Sequence, residues 1–139
     1  MATKTAYPFR VEPQEVDFSL RITLVALGGN ILNIAGIDAH TKGFGVDALN
    51  KDNFSWVLSR IAFEFDYRPE EYVKYEIATW ISDYGRMLST RNFELTDQTG
   101  VCFGRVVSQW CMLDLSKRTA VDLRSEEHTS ELQSRGHLV

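Results

Sequence analysis

Alternating apolar and polar side chains in the second half of the chain predict antiparallel strands. The apolar residues Tyr75, Ile77 and Ile81 fall on one side of the first such run, and mostly polar or small residues fall on the other. The polar loop Asp97–Gly100 ends in glycine, which is typical of a hairpin between the next two strands. The run over residues 102 to 113 is apolar on both sides. We therefore expect one of its sides to face a core and the other to face a partner or a ligand.

A different period, of three and four residues, predicts a helix of about twenty residues earlier in the chain. The residues that carry this period are Leu20, Leu24, Leu27, Ile31 and Ile34. We expect Ser19 to cap the start of this helix and Thr41–Gly43 to end it. Gly28 and Gly29 cost a helix about 1 kcal/mol each. We therefore expect a strand or another helix to approach closely at this point and to offset that cost.

The order of these elements indicates the fold class. A short strand over residues 7 to 11 precedes the helix, and a strand over residues 55 to 67 follows it, before the three-strand meander. We predict an α+β fold in which one long central helix is wrapped by an antiparallel sheet of about five strands.

Charge and composition exclude several classes of protein. The net charge of −4 argues against a nucleic-acid partner. No run reaches the roughly 18 apolar residues of a membrane span, and the first residues lack the apolar core of a secretory signal. Cys102 and Cys111 lie on one predicted strand with their side chains on opposite faces, so they cannot bridge each other. We therefore expect a reduced, cytoplasmic location.

Three segments carry a resemblance to a known family. They are SWVLSRIAFEFDYRPEEY from Ser55, WISDYGRMLSTRNFEL from Trp80, and SQWCMLDL from Ser108. With the order of elements from about Phe9 to Leu123, they resemble the N-terminal half of the acyl-acyl-carrier-protein (acyl-ACP) thioesterases of bacteria and plants. The resemblance implies a hotdog fold. It also implies a parent enzyme of two such domains in tandem, which releases free fatty acid from acyl carrier protein in fatty acid biosynthesis.

In that family the catalytic groups lie in the C-terminal half: an acid, an Asn-x-His pair at a helix start, and a later acid or cysteine. The equivalent place here reads VDFSLRITLVALGGN and has no such pair. The resemblance therefore implies the substrate-binding half of an enzyme, without catalytic residues or a cofactor, and inactive alone. We interpret Asp17, before the helix, and His40, in its last turn, as structural. One histidine before residue 124 and two separated cysteines predict no metal site.

The resemblance also implies that this half helps to form the pocket for the acyl chain. Such a pocket requires an apolar slot between helix and sheet. Our candidates for its lining are Leu27, Ile31, Ile34, Phe63, Trp80 and Trp110. For any one of them, an ordinary place in the core is the simpler interpretation.

Two partners are expected. Acyl carrier protein is acidic, so its docking surface should be basic, although a solvated surface position is the alternative for each base. The available bases are Lys74, Arg86, Arg91, Arg105, Lys117 and Arg118. The second partner is another hotdog domain, either a C-terminal half or a second copy. Two alternatives stay open: a standalone dimeric hotdog that binds acyl groups without hydrolysing them, and a single-domain dimeric thioesterase with Asp17 as base.

The end of the chain differs from the rest. Arg124–Ser134 reads RSEEHTSELQS, which resembles the in-frame translation of a sequencing-library adapter, and the segment has almost no apolar residues. We therefore expect residues 1–123 to form the domain and residues 124–139 to be a non-native tail. A natural disordered tail is the alternative.

Overall fold

The computed structural model describes residues 4–123, and the predicted boundary at residue 123 and the tail beyond it lie outside these described residues. The helices are α1 (Leu24–Thr41) and the short α2 (Val46–Asn50). The strands are β1 (Thr5–Arg10), β2 (Phe54–Phe65), β3 (Lys74–Tyr84), β4 (Ser89–Asp97), β5 (Cys102–Asp114) and β6 (Thr119–Ala120).

The strands form one antiparallel sheet against which α1 packs. Their order is β1-β3-β4-β5-β2, with the short β6 added to the end of β5. Leu27 and Ile31 of α1 are fully buried in one cluster with Ile77 of β3, Phe93 of β4 and Val106 of β5. The predicted α+β arrangement, a long helix wrapped by an antiparallel sheet, is confirmed.

A bulge in β2 determines which of its side chains face the helix. Trp56 pairs with Met112 and Ile61 with Ser108, and the register shifts between Leu58 and Arg60. Strict alternation places residues 56 and 61 on opposite faces, but the extra residue in the bulge returns both to the helix-facing side. The bulge therefore brings Trp56 to the same side of the sheet as its neighbours on β5.

The helix begins later than the sequence predicts. Thr23 is the N-cap, and its side-chain oxygen accepts a hydrogen bond from the backbone N–H of Ala26 at 3.1 Å. Ser19 instead donates to the carboxylate of Asp17 within a tight turn, where Leu20 adopts a positive φ of 61°. The prediction of Ser19 as the cap, with Leu20 inside the helix, is therefore wrong. Any of several polar residues before an apolar stripe can satisfy the same capping rule.

The two central glycines differ in their surroundings. A Cβ added at Gly28 would lie 3.8 Å from the ring of Phe63, which is ordinary contact, whereas one added at Gly29 would meet nothing within 4 Å. The predicted close approach is therefore wrong for Gly29 within the part of the chain that the structure describes. Gly36 is open in the same way.

Candidate functional site

An apolar pocket lies between the C-terminal half of α1 and the sheet. Small residues of α1, Ala35, Gly36 and Ala39, form one wall, and because their side chains are so short a gap remains between helix and strands. The remaining lining residues are Phe44, Gly45, Val46, Trp56, Ile81, Ser89, Arg91 and Trp110. The empty space measures about 460 Å³, counting the solvent at its mouth.

The two indole rings of the pocket have their polar edges satisfied by the protein. Trp56 Nε1 donates to the backbone carbonyl of Phe44 at 3.1 Å, and Trp110 Nε1 donates to the hydroxyl of Ser108 at 2.8 Å. That hydroxyl donates in turn to the backbone carbonyl of Arg91 at 3.0 Å. These bonds hold the indoles in place, so the rings offer their carbon surfaces to the pocket.

A buried cluster of charges adjoins the pocket. The carboxylate of Asp38, on α1, is fully buried and accepts hydrogen bonds from Tyr7 Oη at 2.7 Å, Lys42 Nζ at 2.8 Å and Arg91 Nη1 at 2.7 Å. Arg91 Nη1 also donates to Thr79 Oγ1 at 3.1 Å. The carboxylate therefore joins β1 and β4 to α1, and Arg91 links the cluster to β3.

The hydrogen bonds keep Asp38 ionised inside the protein. Burial acts to raise its pKa, but the bonds from Lys42, Tyr7 and Arg91 together outweigh burial, so the pKa lies below its ordinary value. Burial, and next the bond to Asp38, raises the pKa of the Tyr7 hydroxyl to about 12. Tyr7 is therefore a neutral donor at physiological pH.

The structure separates the six residues that the sequence offers as a lining. Leu27, Ile31 and Ile34 are buried in the main core, and Trp110 is the one of the six that lines the pocket. Trp80 alternates with the buried Ile77 and Thr79, so it lies on the far side of the sheet.

On that far side the ammonium of Lys4 lies 4.7 Å from the centre of the Trp80 ring. Trp80 therefore lies away from the space between helix and sheet. Phe63, on the edge strand β2, is 46% exposed and lines an open groove beside Leu24 and Tyr67 rather than the pocket.

The basic residues are not gathered into one patch. Arg91 is buried, so its prediction as a docking base is wrong. Lys74 begins β3, whereas Arg86 follows the end of that strand. Lys117 and Arg118 follow the end of β5, which lies at the same end of the sheet as the end of β3. Arg105 pairs with Glu64 at 3.2 Å on the sheet surface.

Asp17 and His40 each contact a protein side chain, as expected for residues with a structural role. Asp17 accepts from Ser19 and, at 2.8 Å, from Arg68 Nη1, and these bonds hold its pKa well below the ordinary range. His40 Nδ1 lies 2.9 Å from a carboxylate oxygen of Asp47 on the surface.

In the described residues no group of three or more His, Cys, Asp or Glu side chains is arranged to hold a metal ion. Among the same residues, no helix has the length and apolarity of a membrane span.

The sequence contains a signal for the charged cluster that our sequence analysis missed. Asp38 continues the buried spacing of Ile31 and Ile34, and Arg91 falls on the same side of β4 as the buried Phe93 and Leu95. A charged residue at a core position of a helix, matched by an opposite charge at a core position of a strand, predicts a buried pair. Trp56 has no such signal, because only the bulge brings it to the pocket.

Comparison with known proteins gives consistent matches. A family model described as the acyl-ACP thioesterase N-terminal domain matches residues 2–130. Oleoyl-acyl carrier protein thioesterase 2, chloroplastic, from Arabidopsis thaliana is 27% identical over 117 residues, which cover 79% of this chain and 32% of that protein.

Solved structures agree with these matches. An acyl-ACP thioesterase from Bacteroides thetaiotaomicron has 41% identity and a TM-score of 0.83, over 85% of this chain and 49% of that chain. A DHNA-CoA thioesterase from Staphylococcus aureus, 13% identical, has a TM-score of 0.77 over 94% of this chain and 91% of that chain, a likeness that shows the fold alone. The chain thus spans about a third of the length of the plant relative and about half of the bacterial one.

Proposed function

The chain belongs to the acyl-ACP thioesterase family, and on that premise we propose that it is the substrate-binding half of an enzyme that hydrolyses a fatty acyl thioester. In that reaction water adds to the thioester carbonyl, the carbon–sulfur bond breaks, and a fatty acid and the thiol of acyl carrier protein are released. The observation that supports this role best is the apolar pocket walled by Trp56, Ile81 and Trp110. The catalytic groups would belong to a second hotdog unit.

The pocket can select among acyl chains by its depth. Each methylene group that enters it gains about 0.8 kcal/mol, so a chain whose last two methylenes stay outside binds about tenfold more weakly than it would in a slot deep enough for them. The small residues Ala35, Gly36 and Ala39 leave the space that the chain would fill. A larger side chain at one of these positions would shorten the slot.

The outer side of α1 and the edge strand β2 support a second hotdog unit as partner. Val25 is 87% exposed, and Leu24, Leu32 and Ile37 are also exposed on this helix. β2 pairs only with β5 among the described strands, so one edge of a twelve-residue strand is open. Apolar helix surface beside an open strand edge favours association with another copy of the same fold.

A substitution at the mouth of the pocket tests the acyl slot. We expect Gly36→Leu to weaken the binding of dodecanoyl-pantetheine by about tenfold, because the new side chain takes the place of about two methylenes. Gly29→Leu is the matched control, since it makes the same change on the same helix outside the pocket, and both positions are open. Tryptophan fluorescence measures the binding. Equal affinities in the two variants would contradict the proposal.

A single-domain thioesterase remains the second candidate, because this chain matches 91% of the length of the Staphylococcus aureus enzyme. Its proposed base, Asp17, is a weak proton acceptor, since Ser19 and Arg68 hold its pKa well below the ordinary range. The 139-residue chain should therefore bind dodecanoyl-pantetheine without hydrolysing it. Hydrolysis that is lost in Asp17→Asn would favour the second candidate.

We also propose acyl carrier protein as the carrier of the substrate. Arg86, Lys117 and Arg118 lie at the same end of the sheet and are the bases best placed to meet its acidic surface. A cytoplasmic location stays a prediction.

A further inference from the structure

Trp56 separates the pocket from a second apolar cluster, which we call the satellite core. The satellite core consists of four buried residues and of two partly buried aromatic residues that pack against them: Leu49, Met112, Val121, Leu123, Phe54 and Tyr84. Trp56 also packs against this cluster, and it lines the pocket as well. Among the described residues no other side chain belongs to both groups. The indole is therefore the partition between the two apolar regions.

The indole is held in place at this boundary. Its Nε1 donates to the backbone carbonyl of Phe44 at 3.1 Å, which ties the ring to the segment between α1 and α2. Across the strands Trp56 pairs with Met112, a buried residue of the satellite core. The bulge in β2 keeps the indole on the helix-facing side of the sheet. A ring whose polar edge is hydrogen-bonded to the protein offers a fixed apolar wall.

The exposed residues of the lining mark the mouth of the pocket. Gly36 of α1 and Val46 of α2 are exposed, whereas Trp56 is only partly exposed. A ligand therefore enters between the two helices and passes inward to the indole. Behind the indole lie the side chains of the satellite core, of which Leu49 and Met112 are almost fully buried.

We propose that Trp56 sets the length of the longest acyl chain that the pocket can hold. The inference rests on the proposed function, because it identifies the residue at which the acyl slot ends. A smaller side chain at position 56 would leave a space bounded by the apolar residues of the satellite core. Methylene groups can fill such a space, because an apolar cavity inside a protein stays dry and accepts apolar ligands.

A series of acyl-pantetheines from octanoyl to hexadecanoyl tests the proposal on the unaltered 139-residue chain and on Trp56→Ala. Each ligand is titrated below the concentration at which it aggregates, and the fluorescence of Trp110, which lines the pocket, reports binding in both proteins. The limiting length is the chain length beyond which affinity stops rising. For a chain two methylenes longer than the limit of the unaltered protein, we expect Trp56→Ala to bind about tenfold more tightly than the unaltered protein does.

Leu49→Ala is the matched control, since it also removes a buried side chain from the satellite core but leaves the indole in place. We expect it to leave the limiting length unchanged. The same limiting length in Trp56→Ala and the unaltered chain, or an equal increase in Leu49→Ala, would overturn the role of Trp56 while the acyl slot stands. If the affinity of the unaltered chain does not rise with acyl length at all, the slot and the role of Trp56 fail together.

A milder variant, Trp56→Leu, serves if Trp56→Ala does not fold. Leucine keeps apolar contact with the satellite core but removes most of the ring, so we expect the limiting length to rise by a smaller step. Circular dichroism establishes that each variant is folded. A folded Trp56→Leu protein with the limiting length of the unaltered chain would also overturn the proposal.

Discussion

Single residues decide the chemistry of this pocket. Asp38 occupies a core position of α1 and is tolerated there because three side chains donate to it. An ionised carboxylate without such partners would take up a proton or destabilise the fold. Asp38 and Arg91 must therefore be considered together, since each makes the burial of the other possible.

Removal of the Asp38 charge should weaken the fold in a pH-dependent way. At pH 7 we expect Asp38→Asn to lower the free energy of unfolding by about 3 kcal/mol, because Arg91 loses its buried counter-charge. The pKa of Asp38 is lowered by folding, so its stabilising effect is complete above about pH 5 and is lost as the pH falls toward the folded value. The difference between the two proteins, measured by urea unfolding, should therefore shrink from pH 5 downward.

The exposed Asp83 provides the control for this prediction. Asp83→Asn should change the free energy of unfolding by less than about 0.5 kcal/mol at any pH. A loss in Asp38→Asn that stays constant down to pH 2 would show that the carboxylate charge is not the cause.

Elements of the fold differ in how clearly the sequence determines them. The period of α1 and the alternation of β3 are each sufficient to predict the element and its buried residues, because each element buries one regular side. The sequence does not predict where α1 starts or on which side of β2 Trp56 lies. A helix cap and a strand bulge depend on one or two residues and on the tertiary contacts around them. The alternation of β3 already places Trp80 opposite Ile77 and Ile81, whereas both sides of β5 are apolar, so only the sheet register shows that Trp110 faces the helix.

The start of α1 can be tested by a pair of alanine substitutions. We expect Thr23→Ala to lower the free energy of unfolding by about 1 kcal/mol, since the backbone N–H of Ala26 loses its acceptor. Ser19→Ala, four residues earlier, should cost less than about 0.5 kcal/mol because its hydroxyl serves only an exposed turn. Chemical denaturation followed by circular dichroism measures both values. The reverse order would place the functional cap at Ser19.

The whole molecule has one side that is not covered by its own chain. Val25, Leu32 and Ile37 are exposed along α1, and the glycines between them leave the backbone approachable. The sequence places apolar residues on more than one side of α1, but it does not show which side of the helix lies outside. That information comes from the sheet, which covers only the opposite side.

We expect the 139-residue chain to self-associate through this side of α1. Val25→Lys should shift the molar mass measured by light scattering toward the monomer, because it places a charge in the contact. Val107→Lys is the control, since Val107 is similarly apolar and exposed but lies on the outer face of the sheet. A monomeric unaltered chain, or equal effects of the two variants, would contradict this expectation.

The position of β2 in the sheet has a consequence for how the chain is made. β2 is the second strand in sequence, yet its partner is β5, whose paired residues are synthesised about 40 to 60 residues later. During translation β3, β4 and β5 can pair as consecutive hairpins. Until β5 has been made, β2 has no strand to pair with and its aromatic residues stay exposed. A nascent chain arrested before β5 would therefore expose Trp56, Phe63 and Phe65, and we expect such a chain to need a chaperone until its last long strand has left the ribosome.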